Sequence, residues 1–153
     1  MEKIKHKIEL AENFVKETLG EDSTGHDWYH IDRVRKNALY IMEQEKKGNS
    51  FLVEMAALLH DIPDEKLNSS KEAGERRLSG FLDTLELELI VKQEIEAIVF
   101  SISFKGGESR KLPSIEAEIV QDADRLDAIG AVGIARTFAY GGFKGQAIYD
   151  PSL

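Results

Sequence analysis

A histidine followed by an aspartate, His60-Asp61, stands at the end of an unbroken apolar run from Met55 to Leu59. Such a run belongs in a protein core, where a histidine and a carboxylate are costly to bury unless each has a partner. A divalent metal ion is one partner that satisfies both groups. The dipeptide therefore points to a metal site at the end of a buried helix.

Two further segments offer the other side chains that such a site needs. Upstream, Gly-His-Asp-Trp-Tyr-His contains His26 and His30, and downstream, Gln-Asp-Ala-Asp-Arg-Leu-Asp contains Asp122, Asp124 and Asp127. Mixed imidazole and carboxylate ligands suit Mn²⁺, Fe²⁺, Zn²⁺, Ni²⁺ or Co²⁺. The sequence does not choose among these metals.

Helical geometry separates the three aspartates of the downstream segment, since each residue turns the helix by about 100°. The buried stripe is predicted to consist of four residues: Ile119, Ala123, Leu126 and Gly130. Asp127 falls inside this stripe and Asp124 falls at its edge on the same side. Asp122 falls at the opposite edge, and Arg125 points away. We therefore expect Asp124 and Asp127 to share one site and Asp122 to serve another purpose.

The composition limits the kinds of partner. With 153 residues, 42% of them hydrophobic, the chain can form one domain with a substantial core. Its net charge of −8 argues against nucleic acid and anionic membranes. An anionic substrate stays open, because a bound cation would reverse the local field. No cysteine, signal-type stretch or membrane span is present, so we expect a cytoplasmic protein without disulfides or thiolate ligands.

Apolar residues recur mostly at helical spacing, and there are only 3 prolines, which predicts an all-α single domain over residues 1–153. Ser50 is expected to cap the third helix and Pro63 to end it. The six predicted helices run from Ile4 to near Gly20, from about His30 to Gly48, from Phe51 to about His60, from Ser70 to about Thr84, from Leu87 to about Ile102, and from Pro113 through Gly130.

These residues resemble the H…HD…D pattern of the HD-domain superfamily of metal-dependent phosphohydrolases. His30, His60, Asp61 and Asp124 match that pattern, and the resemblance covers about residues 25–142. The chain looks most similar to small bacterial HD-domain proteins with the His-Asp-Trp-Tyr-His and Gln-Asp-Ala-Asp-Arg-Leu-Asp-Ala-Ile-Gly segments. The resemblance implies a helical fold with the metal site between helices. The four matching residues would bind one divalent ion (Mn, Mg, Fe, Ni, Co or Zn).

The resemblance also implies hydrolysis of phosphate esters or anhydrides, often in nucleotides. Asp64, three residues after Asp61, resembles the catalytic carboxylate, although it could equally cap the turn after Pro63. Family members continue with further helices beyond the position of Leu153, so this sequence could lack C-terminal helices that its relatives have.

Other polar side chains are candidates to contact substrate or support the metal ligands. His26 and Asp27 could bind phosphate or tie down the loop before the second helix. Each lysine among the cations could instead be a solvated surface charge. The candidates for substrate binding are His26, Asp27, Lys66, Lys105 and Arg125, and Asp127 is expected behind the metal ligands.

Several functions remain open at this level. Within a nucleotide phosphohydrolase, we favour pyrophosphate release from a nucleoside triphosphate over dephosphorylation of a nucleoside 5'-monophosphate, on family resemblance alone. A non-catalytic nucleotide sensor is a further alternative. A zinc peptidase built on His26 and His30 would leave His60-Asp61 unexplained. The expected partner is a small-molecule nucleotide, with a homodimer among the alternatives for the oligomeric state.

Overall fold

The computed structural model describes residues 2–19, 27–102 and 111–152. Within these ranges the chain forms seven α-helices and no strand, so the predicted all-α fold is confirmed. The helices are α1 (Glu2–Leu19), α2 (Trp28–Glu45), α3 (Ser50–Leu59), α4 (Lys71–Thr84), α5 (Leu89–Ile102), α6 (Ile115–Leu126) and α7 (Gly130–Phe143).

Helix α3 lies at the centre of the molecule and packs against α1, α2, α5 and α6. Its sequence explains this position, because seven of its ten residues are buried, all of them apolar. The surrounding helices each turn one apolar stripe inward, as their helical spacing requires. Since α3 ends at Leu59, the residues that follow it emerge directly from the core.

Polar caps set where several helices begin. Ser70 and Ser114 accept backbone N–H bonds at the starts of α4 and α6. The prediction that Ser50 caps α3 is wrong, because Asn49 has that role. Asn49 is extended, and its Oδ1 accepts the N–H groups of Phe51 and Leu52 at 3.0 and 3.4 Å. Ser50 is already the first helical residue.

The predicted sixth helix is in fact two helices. It ends at Leu126, and α7 begins at Gly130, whose φ of +67° is a conformation that other residues rarely adopt. Ile119 and Ala123 are buried as predicted, but Leu126 is 45% exposed and Gly130 is exposed. The predicted stripe fails at these two positions because α6 ends at Leu126 and Gly130 belongs to the next helix.

Helix α7 is buried far less than the other helices. Of its residues, all of which the structure describes, Gly133 alone is buried. Ile134 is 62% exposed and Phe138 is 48% exposed. Within the described ranges, no helix combines the length and the hydropathy that crossing a bilayer requires.

Candidate metal centre

Three metal-ligating side chains from three different elements meet where α3 ends. His30 comes from the first turn of α2, His60 follows the last residue of α3, and Asp124 comes from the last turn of α6. One ligand atom from each lies within 4.8 Å of the other two. Asp124 Oδ1 is 3.4 Å from His30 Nε2 and 3.6 Å from His60 Nε2. These are separations at which a single ion can bridge all three side chains.

Asp61 adds a second carboxylate to this cluster. Its Oδ2 lies 3.4 Å from His30 Nε2, and its Oδ1 lies 3.3 Å from His60 Nε2. The side chain is buried, as expected from its place just beyond the apolar run. The four residues of the H…HD…D pattern therefore converge on one point.

The orientation of His60 leaves one ring nitrogen available to a metal. Its Nδ1 lies 2.9 Å from the carbonyl oxygen of Ala57, which fits a tautomer with the hydrogen on Nδ1. Its Nε2 is buried and has no hydrogen-bond partner. A buried polar atom without a partner is costly. Together with the adjoining carboxylates, this unpartnered nitrogen fits a divalent cation.

The electrostatics of the cluster also favour a positive charge. Burial would lower the pKa of His60, but the charges of Asp61 and Asp124 outweigh it and raise this pKa to about 9. Burial would raise the pKa of Asp124, but the neighbouring His30 and His60 hold it well below its usual value. The carboxylates thus favour a positive charge at His60, and the histidines favour a negative charge at Asp124.

Asp127 holds His30 from the side opposite the cluster. Its Oδ2 lies 2.7 Å from His30 Nδ1, so the ring presents Nε2 to the cluster. Arg33 donates to the same carboxylate from Nε at 2.6 Å and Nη2 at 3.0 Å, and Arg136 donates from Nη1 at 2.9 Å. Burial would raise the pKa of Asp127, but its bonds to Arg33 and His30 lower it. The Asp127 carboxylate is therefore charged, and its contact with Nδ1 fixes the orientation of the His30 ring.

The three aspartates of α6 and its C-cap thus differ in position. Asp124 faces the cluster, and Asp127 lies behind His30 at the same site. Asp122 is exposed and takes no part in either arrangement. This matches the separation that helical geometry predicts, although Asp127 reaches the site from the C-cap position and not from within the helix.

A cavity of about 980 Å³ opens above the cluster, and His30, His60, Asp61 and Asp124 form part of its lining. Its remaining walls come from the turn after α3, from α4, α5 and α6, and from one face of α7. The charged residues on these walls are Asp64, Glu65, Lys66, Lys71, Glu75, Arg125 and Arg136.

The predicted substrate-contacting residues divide into three groups. Lys66 and Arg125 line the cavity and are exposed. Asp27 does not line it; its side chain caps α2 by accepting the N–H of His30 at 2.8 Å, which is the loop-fixing alternative. His26 and Lys105 lie outside the described residues.

Asp64 caps a turn and also lies on the cavity wall. Its Oδ1 accepts the backbone N–H of Lys66 at 2.8 Å, so it does cap the turn that follows Pro63. It is also half-buried and lines the cavity beside Asp61. A carboxylate held in this way can still present its second oxygen to the cavity.

Sequence reasoning missed several residues of the site. Arg33 could have been found, because it lies three residues after His30 and therefore on the same helical face. Tyr140 and Arg136 could not, because the prediction had no separate seventh helix. Gln121, one turn before Asp124 and Arg125, also lines the cavity.

The chain is similar to known proteins along most of its length. YpgQ of Bacillus subtilis is 43% identical over 146 residues, which cover 92% of this chain and 69% of YpgQ. A crystal structure of YpgQ in complex with ADP matches with a TM-score of 0.81 at 37% identity, over 98% of this chain and 73% of that one.

Two further proteins are also similar to this chain. An HD-superfamily hydrolase from Bacillus thuringiensis has a TM-score of 0.77 at 49% identity, covering 98% of this chain and 72% of its own. The protein L803 of Acanthamoeba polyphaga mimivirus is 30% identical over 146 residues, which are 86% of this chain and 60% of L803. The family model of the HD domain matches residues 27–129, which span every member of the cluster. This chain therefore belongs to the HD-domain family, in agreement with the resemblance of its motifs.

Proposed function

We propose that this protein is a metal-dependent phosphohydrolase that acts on a nucleotide, releasing pyrophosphate from a nucleoside triphosphate. The observation that carries the proposal is the placement of the cluster within the cavity. Two imidazoles and two carboxylates lie together in a space whose walls carry four cationic side chains. Cations on the walls suit the phosphates of a substrate, and the cluster suits a metal.

In this proposal His30, His60, Asp61 and Asp124 hold one divalent ion. The unpartnered Nε2 of His60 and the converging carboxylates support that assignment. When bound, such an ion supplies charge neutralisation of phosphoryl oxygens and a water of lowered pKa. The protein's own part is to fix the ligands in place, which it does for His30 through Asp127.

Asp64 is the candidate for proton transfer. The bond from the Lys66 N–H fixes its carboxylate at the cavity wall, three residues beyond Asp61. From that position it orients the attacking water or moves a proton, which requires a carboxylate in reach but not a metal ligand. Lys66 and Arg125 then pair with the phosphates, because both line the cavity and are exposed.

The nucleotide part of the proposal rests on two supports. YpgQ, which is 37% identical over the matched structure, has been crystallised in complex with ADP. The cavity of about 980 Å³ is also at the upper end of the range of small-molecule sites, which run from roughly 300 to 1,000 Å³, so a whole nucleotide can enter it.

The test is turnover of a panel of nucleoside mono-, di- and triphosphates with Mn²⁺, with phosphate and pyrophosphate measured separately. Pyrophosphate from a triphosphate is the expected product, and Asp124→Asn on the same panel is the control for metal dependence. Phosphate from a monophosphate would replace the reaction by the phosphatase alternative. No turnover of any nucleotide, by a protein that binds both metal and nucleotide, would favour a sensor over an enzyme.

A further inference from the structure

Two arginines share the single carboxylate of Asp127, and they reach it from different parts of the fold. Arg33 comes from α2, the helix that carries His30, and makes a two-pronged contact. Arg136 comes from α7, and its Nη1 donates both to Oδ2 at 2.9 Å and to the backbone oxygen of Asp127 at 3.2 Å. Arg136 therefore joins α7 to the C-terminal end of α6, where a cation is favoured.

The two arginines differ in what else they face. Arg136 is among the residues that line the cavity, and Arg33 is not. The side chain of Arg136 is 25% exposed, and it borders that cavity. Arg136 thus contacts Asp127, which positions His30, and also borders the cavity proposed for the substrate.

The two arginines bind the carboxylate of Asp127 differently. Arg33 engages both of its oxygens, whereas Arg136 engages one oxygen and also borders the cavity. A guanidinium that borders the cavity is a donor suited to a phosphoryl group.

Arg136 also fixes a helix that has few other attachments. Helix α7 buries only Gly133 among its residues, and a methyl group at Gly133 would come within 2.3 Å of the Ala128 oxygen. Gly133, Thr137 and Tyr140 lie on the cavity with Arg136, at the spacing of one helical face. The contact of Arg136 with Asp127 therefore holds this face against the site.

We propose that Arg136 serves two purposes, positioning Asp127 behind the metal ligand His30 and contacting a phosphoryl group of the bound substrate. The proposal rests on the proposed function for its second part alone. It makes metal binding and substrate binding depend on one side chain, so that the cavity wall and the metal ligands are assembled together. Arg33 performs only the positioning part.

The test compares Arg136→Gln with Arg33→Gln, and uses Arg76→Gln, an exposed arginine of α4, as the control for loss of a surface charge. Mn²⁺ affinity is measured by titration calorimetry without nucleotide, and ADP affinity is measured at saturating Mn²⁺. We expect both Asp127-binding variants to weaken Mn²⁺ by roughly tenfold, the lower end for a lost support of a metal ligand. Only Arg136→Gln should also weaken ADP, on the order of 10- to 100-fold for a lost charged hydrogen bond.

Each part of the proposal has its own failing result. Unchanged Mn²⁺ affinity in Arg136→Gln would overturn the positioning part. ADP affinity equal to that of the wild type, in an Arg136→Gln protein saturated with Mn²⁺ and folded by circular dichroism, would overturn the substrate part. Arg136→Lys keeps the charge without the forked geometry, and it should recover most of the ADP affinity if charge is the cause. Because none of these measurements needs turnover, an absence of nucleotide hydrolysis would refute the proposed reaction and leave both parts testable.

Discussion

The proposed metal ligands and the wall of the cavity that α7 forms are built in opposite ways. The proposed ligands lie on α2, on α6 and directly after α3, close to the core, and His30 is 1% exposed. The wall that α7 provides is mostly exposed, and Phe138 on that helix is 48% exposed. One side of the site is thus fixed by packing and the other by a few polar contacts.

In the proposed hydrolase, a metal site and a substrate wall have different structural requirements. Metal ligands must be held to within fractions of an ångström, which a close-packed core provides because displacement of any side chain disturbs its neighbours. A substrate wall need only present the right groups. A sparsely anchored helix can therefore carry the wall, and its residues can change without disturbing the ligands. The exception is Arg136, which reaches from the wall to the ligand side.

The largest effect is expected from removal of a ligand. His60→Ala and Asp61→Ala should each abolish stoichiometric metal binding and activity, because each removes one of four groups that converge on the cluster. Tyr140→Ala, on the α7 wall, should keep one ion per chain. Metal content is measured by mass spectrometry on purified, folded protein. One ion per chain in His60→Ala or Asp61→Ala would refute the ligand assignment.

The next effect concerns a residue at the border between the two regions. Asp64→Asn preserves shape and removes charge, so metal and nucleotide affinity should stay near those of the wild type. The kcat should fall by roughly 10²-fold or more if Asp64 acts as a general acid or base. Metal content, nucleotide affinity and kcat are to be measured on one preparation. An unchanged kcat would mean that Asp64 only caps its turn. Loss of metal would mean that Asp64 contributes to metal binding.

A smaller effect is expected behind the ligands. Asp127→Asn should weaken metal binding by roughly 10- to 100-fold. The substitution removes the charged group that orients His30, and Arg33 and Arg136 lose the carboxylate that they share. Asp122→Asn is the matched control, because that side chain is exposed, and its metal affinity should equal that of the wild type. The comparison needs only metal titration. Equal metal affinities in Asp127→Asn and Asp122→Asn would show that metal binding does not depend on the contact between Asp127 and His30.

The same contrast explains which features could be predicted from the sequence. His30 lies on an apolar helical face, His60 directly follows the apolar run of α3, and both are buried. The apolar pattern predicts this, because it indicates which face a packed helix turns inward. The resemblance to the HD-domain superfamily is confirmed by the family match over residues 27–129. The cluster of His30, His60, Asp61 and Asp124 was thus predictable because both periodicity and motif describe it.

The α7 wall could not be predicted in this way. Its start depends on the positive φ of Gly130, and the apolar residues before and after that glycine continue a helical pattern without a break. Arg136 meets Asp127 across this turn, and Arg33 meets Asp127 across 94 residues of sequence. Such pairings depend on how the helices pack, which periodicity does not report.

Two glycine-to-alanine substitutions, one beside the proposed metal ligands and one on α7, should differ in their effect on the free energy of unfolding. Gly74 of α4 is buried against the turn after α3, and a methyl group there would lie 2.4 Å from the oxygen of Pro63. Gly74→Ala must therefore shift the turn that carries Asp61 and Asp64, at a cost of about 1–3 kcal/mol in the free energy of unfolding.

Gly142 of α7 has no atom within 4 Å of the added methyl group. Gly142→Ala should be neutral or stabilising by up to about 1 kcal/mol, because alanine favours the helix. Denaturant unfolding of both variants measures the difference, and metal affinity should fall only in Gly74→Ala. A destabilised Gly142→Ala would mean that the α7 wall is packed as closely as the ligand side.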